Sequence, residues 1–319
     1  MSKSLDFSAV AAELKQHLVE NPEVLRMVLK DDRSFFSYVS LVPGVLDRVL
    51  MNRLKMQRIA RPSKKDSTFD PKEDALRPDP RYGYVKPNKV DLEFDEEDIE
   101  ALWKSYLGKL ENRMPESVLD MPFQAEIFDM IFAQLKEDDQ LEALFKGVRD
   151  DDGTEPKDMY DGFLKIISND ITAGKIKNEQ IVVTGAISGT NAVDKFELMK
   201  MAVPSRFWMR DWVAIASPTS IEYYNKDYRA QFGALPYNQQ YQKTVLDGTK
   251  IELIAEEGLE GKNDIIITPR YNFKYITAGT GDIDRLRVQE DKRDLLIMLD
   301  WRSGVDYAFP EYVYTNKLA

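Results

Sequence analysis

Apolar positions along this chain follow a helical period in its first half and a two-residue period near its end. From residue 6 to 58 the helical spacing comes in pieces, with Leu14, Leu18, Val24, Leu25 and Val28 at mixed three- and four-residue intervals broken at Asn21-Pro22. A helical arm is predicted there. From 59 to 90 the period is lost and Pro62, Pro71, Pro78, Pro80 and Pro87 accumulate, which predicts a long extended loop. Loops of that length are uncommon inside compact domains unless they serve a function or meet a partner.

Helical spacing resumes after Asp95 with Ile99, Leu102, Trp103, Tyr106, Leu107 and Leu110. A longer helix is predicted from about Pro122, where Phe123, Ile127, Ile131 and Leu135 step by four, Phe128 and Phe132 widen the stripe, and Gly147 stops it. Phe163, Leu164, Ile167 and Ile171 predict a third helix ended by Gly174. Trp212 to Ala216 reads as a buried strand. A helix should follow it, capped by Ser217, opened by Pro218 and closed at Gly233. Beyond Val245 the pattern turns to β, with a hairpin signal at Asp247-Gly248 and strands at Ile265 to Ile267 and Asn272 to Ile276. The end predicts two long antiparallel strands broken at Gly304, then an edge strand carrying Pro310. The fold class is α+β.

Composition narrows the function. At 319 residues, with 43% hydrophobic and 31% charged residues, the chain can bury sizeable cores; with no cysteine it has neither disulfides nor thiolate chemistry. The start lacks an unbroken apolar stretch, and no apolar run reaches the length of a membrane span, so neither secretion nor membrane insertion is expected. The net charge of −11 disfavours a dedicated nucleic-acid binder. That charge is unevenly spread. Arg58, Arg61, Lys64 and Lys65 lie in a basic stretch, and Asp91, Glu93, Asp95, Glu96, Glu97 and Asp98 form an acidic block soon after. Blocks of opposite sign suit surfaces that meet other chains.

Catalytic signatures are missing. The one histidine, His17, falls in the predicted arm, which leaves no Ser-His-Asp arrangement or histidine-based zinc site to assemble. The run Thr184 to Thr190 lacks the Lys-Ser/Thr ending of a phosphate loop and reads as a turn into a helix capped by Asn191; Gly279 to Gly281 lacks a third glycine. Asp150 to Gly153 is out of register for a calcium loop and reads as a surface turn. Phe207, Trp208 and Trp212 beside Arg206 and Arg210 could stack bases, but core packing or a subunit contact is the better reading. No cofactor or metal is expected, and no pair among the 55 acids is singled out for hydrolysis.

The order of elements, with the segments DGFLKIISNDITAGKI, SPTSIEYYNKDYRAQFG, VLDGTKIELIAEEGL and DRLRVQEDKRDLLIMLDWRSGVDYAFPEYVY, resembles the major capsid proteins of tailed bacteriophages with the Hong Kong 97-like fold, those of Bacteroidetes phages in particular. The resemblance implies an N-terminal helical arm at 1–57, an extended loop (E-loop) at 58–94, a peripheral domain with a spine helix at 95–157, an axial domain at 158–267, and peripheral strands at 268–319. It implies self-assembly as hexamers and pentamers into an icosahedral shell around double-stranded DNA held without sequence-specific binding. Scaffolding, portal and decoration proteins would be further partners, and the virion, assembled in the host bacterial cytoplasm, the location. Arg58, Arg61, Lys64 and Lys65 would then dock on a neighbour, with Asp91 to Asp98 the candidate surface. An encapsulin-like nanocompartment and a carboxylate-based hydrolase are the competing readings.

Overall fold

A computed structural model describes residues 34–56, 60, 76–95, 97–98, 101–102, 104, 123–233, 244–278, 287–291 and 294–317. The helical arm before residue 34, His17, Glu96 and the basic residues Arg58, Arg61, Lys64 and Lys65 lie outside them.

Two sheets organise the chain. In the first, β1 (Ser40–Val42) runs parallel to β8 (Phe273–Thr277), which pairs antiparallel with the end of β10 (Asp294–Tyr307). The start of β10 lies between β4 (Lys86–Phe94) and β9 (Arg287–Asp291), antiparallel to both. The alternation read from the sequence sets its faces. Leu295, Ile297 and Leu299 are buried and lie opposite Phe94, Leu92 and Val90 in the ladder. Gly304 was expected to break this strand, yet β10 continues through it to Tyr307. A Cβ on Gly304 would stand 2.1 Å from the Tyr84 carbonyl oxygen, so glycine there admits a crossing backbone rather than ending the strand.

The expected helical arm is corrected over 40–56. Besides β1, residues Arg48–Met56 form β2, paired along its length with β3 (Leu76–Tyr84) from Arg48↔Tyr84 to Met56↔Leu76. The expected loop is likewise strand at 76–84 and again at 86–94. Propensity is overridden here by pairing, which no local spacing reveals. Pro78 and Pro80 lie two residues apart, opposite Leu54 and Asn52, so their missing N–H groups fall on one side of the strand, a pattern that a two-stranded ribbon with free outer edges tolerates.

The second sheet has the order β11 (Tyr314–Thr315), β7 (Ile266–Pro269), β5 (Trp212–Ala216), β6 (Glu252–Ala255). β5 is buried throughout, as its apolar run predicts. Val213 and Ile215 enter one core with Phe163, Phe273 and Tyr307, while Trp212, Ala214 and Ala216 enter another with Phe196 and Tyr224. Phe163 stacks on Phe273 with ring centroids 4.2 Å apart, an arrangement worth about 0.5–1.5 kcal/mol beyond area burial.

The helices follow the sequence closely. α1 (Phe123–Asp138) runs on through a wider turn at Asp139–Ala143. α2 (Phe163–Thr172) buries Phe163, Leu164 and Ile167, and Gly174 after it has φ +70°. α3 (Ala192–Ala202) follows Asn191, whose side chain accepts from the Ser188 N–H at 2.8 Å. α4 (Pro218–Phe232) is capped by Ser217, whose Oγ accepts from the Ser220 N–H at 3.1 Å, and closes at Gly233 with φ +79°. Asp247 and Gly248 form the turn of a short hairpin bridged at Val245↔Glu252. Pro310 opens a short 3-10 turn instead of lying in a strand, since its ring fits the first helical position.

Candidate functional site

Leu50, Tyr82 and Tyr84 of the β2–β3 ribbon are exposed, so its function rests on how it is held. Its root packs closely on the first sheet. A Cβ on Gly83 would meet the Ile276 side chain at 2.4 Å, and Gly304 receives the Tyr84 carbonyl on the β10 side.

Arg81 of β3 locks this root. Its Nη1 donates to Asp170 Oδ2 on α2 at 2.6 Å, its Nε donates to Asp306 Oδ1 on β10 at 2.9 Å, and Nη2 donates to the same Asp306 oxygen. The guanidinium lies 4.3 Å from the centre of the Tyr307 ring, whose hydroxyl donates to Asp170 Oδ2 at 2.5 Å. Arg81, Asp170 and Asp306 are all buried. Lys175, half exposed, reaches the other Asp170 oxygen at 3.2 Å. Burial pulls the Arg81 guanidinium down, but Asp306 and Asp170 outweigh it and hold the group above its ordinary value. Burial raises the Tyr307 phenol, and Asp170 adds to the effect. Burial likewise raises the Asp306 carboxyl, against the pull of Arg81. Removing one member of such a cluster strands the others in a medium that cannot solvate them.

A second buried contact joins three distant segments. Glu256, after β6, is fully buried; it accepts from the Tyr38 hydroxyl at 2.5 Å and from Gln140 Nε2, in the turn after α1, at 3.1 Å. Burial raises its carboxyl despite these donors.

Between the ribbon and the body lies a cleft of about 1310 Å³, walled by Tyr82 and Tyr84 on one side and by Lys177, Arg206 and Tyr312 on the other. Tyr82 and Tyr84 are exposed.

The structure brings most of the acidic block together. Asp91 and Glu93 project from the exposed face of β4, and Asp95, Glu97 and Asp98 continue as exposed residues beyond it. Lys89 pairs with Asp91 at 2.7 Å, and the Asp98 N–H donates to Asp95 at 2.9 Å. β4 borders its sheet, where exposed charge also guards against unwanted strand pairing. The aromatic and basic cluster is packing. Phe207 stacks on buried Trp212 at 4.9 Å, with Arg206 and Arg210 over the Phe207 ring.

Sequence reasoning missed Arg81, Asp170, Asp306, Tyr307 and Glu256. Asp306 carried the one usable signal, an acid within the otherwise apolar end of β10. Among the described residues no cluster of metal-ligating side chains occurs, and no helix is long and apolar enough to cross a membrane.

No family model matches the chain, and no curated protein matches it in sequence. Solved structures do match. A chain of the satellite phage P4 procapsid including the size determination (Sid) protein is 12% identical with a TM-score of 0.58, covering 92% of this chain and 98% of that one. The capsid of the empty GTA particle is 14% identical with a TM-score of 0.53, over 91% and 97% of the two chains. The capsid of the native GTA particle is 14% identical with a TM-score of 0.50, over 90% of each.

Proposed function

We propose that this chain, which has the α+β, Hong Kong 97-like fold of phage capsid proteins, is a major capsid protein that self-assembles into the shell enclosing phage DNA. The observation that carries the reading is fold similarity over nearly all of both chains, rather than over one shared domain. A ribbon whose exposed Leu50, Tyr82 and Tyr84 find no core within the subunit supports it, because such surface is stabilised by a neighbour.

Under this reading the β2–β3 ribbon is the extended loop, shifted toward the N-terminus to about 48–84, and α1 is the spine helix. The five-stranded sheet belongs to the peripheral domain and the four-stranded sheet to the axial domain. The role is structural, and assembly rests on buried area and many weak contacts. Copies of the chain are the main partners; scaffolding, portal and decoration proteins follow from the role. Electron microscopy of the purified protein, with its phage's scaffold where needed, is the test. Closed shells or capsomers are expected. A monomer would return the hydrolase reading to the front, and shells filled with an enzyme cargo would favour a nanocompartment.

A further inference from the structure

The turn between β7 and β8 holds a conformation its sequence does not favour. The Asn272 N–H donates to the Pro269 carbonyl at 3.1 Å, closing a four-residue turn with Tyr271 at its third position. Tyr271 has φ +62° and is the one non-glycine residue at positive φ among those described. A turn with positive φ at the third position alone selects glycine or asparagine there, because a Cβ strains that geometry.

The surroundings leave the turn no alternative. The Arg270 N–H donates to the Asp211 carbonyl at 3.2 Å, its Nη1 to the Ser37 carbonyl at 2.9 Å and its Nε to the Asp211 carboxylate at 2.9 Å, while Nη2 donates to Glu252. On the other flank, Asn272 Nδ2 donates to Thr268 Oγ1 at 2.9 Å and to the Phe309 carbonyl at 3.1 Å, and its Oδ1 accepts from the Phe309 N–H at 2.8 Å. The Tyr271 N–H donates to the Tyr38 carbonyl at 2.8 Å. The turn is therefore fixed by backbone groups and by the side chains of its neighbours, with no part played by a hydrogen bond from the Tyr271 side chain.

The ring makes no directed contact within the described residues in return. Tyr271 is 49% exposed, and no ring pair or side-chain hydrogen bond within the described residues involves it. Phe309, clasped by Asn272, is a second exposed ring, 39% accessible, on the same platform. Glycine would serve this fold with less strain; a rigidly presented aromatic ring serves an interface, where tyrosine is a preferred anchor.

We propose that Tyr271 is an intersubunit anchor whose ring packs against a second copy of this chain, with Phe309 flanking it; this rests on the self-assembly reading above. The test compares wild type, Tyr271→Gly and Tyr271→Phe for thermal midpoint by circular dichroism and for assembled fraction by sedimentation. Tyr271→Gly should melt within about 2 °C of wild type or higher, because strain relief offsets the added chain freedom. Its assembled fraction should fall about tenfold. Tyr271→Phe should assemble as wild type does. Assembly of Tyr271→Gly at the wild-type level would overturn the proposal, as would a lowered melting point, which would assign the ring to the fold. Failure of wild type itself to assemble, both alone and with its phage's scaffold, would overturn the reading beneath it and the anchor with it.

Discussion

Arg81 shows how one side chain can tie a projecting ribbon to two elements of the body at once. Arg81→Met should destabilise by about 3–5 kcal/mol, because Asp306 remains buried without its cation and Asp170 keeps only the half-exposed Lys175. Adding Asp306→Asn removes one stranded charge and should recover part of that loss. Denaturant unfolding checks both, and an additive double variant would contradict the coupling. Glu256 differs because the side chains that donate to it, Tyr38 and Gln140, are neutral. Burial raises its folded value above the unfolded one near 4.3, so its stabilising contribution is present below the unfolded value and is lost as pH rises through the folded one. Glu256→Gln mimics the protonated carboxyl. Wild type should match it in acid and fall behind as pH rises, and parallel urea-unfolding profiles would refute this. Neither residue was legible in the sequence. Arg81 sits in a proline-rich stretch without period, and Glu256 precedes Glu257 with nothing to mark which of the two is buried.

Helices were legible where punctuation and period agree. Ser217, Pro218 and Gly233 each carry a local geometric reason for their place, and all three occupy the positions read from sequence. Ser217→Ala should cost about 1 kcal/mol through the lost cap. Gly233→Val should cost more, since φ +79° with ψ 146° is a region essentially reserved for glycine. Thermal unfolding ranks the two, and the reverse order would contradict the cap geometry. The β2–β3 ribbon was not legible, because its strand character comes from a partner more than twenty residues away on average. Gly304 was misread for a related reason: the backbone it admits comes from Tyr84, far upstream.

Across the whole molecule, the fold class was available from element order, while the sheet pairings were not. Of the candidate docking pair, Asp91, Glu93, Asp95, Glu97 and Asp98 of the acidic half are exposed on and beyond β4. Exposed pairs contribute only about 0.2–1 kcal/mol each, so a single reversal should matter little. Reversing Arg58, Arg61, Lys64 and Lys65 together to glutamate repeats the loss at every interface. It should abolish particles while leaving circular dichroism unchanged; an unchanged particle yield would remove the docking role. The central claim is assembly itself, and electron microscopy of the purified chain at high concentration, alone and with its phage's scaffold, tests it most directly. Closed shells or ring-shaped capsomers are the expected result, and a protein that stays monomeric under both conditions would contradict it.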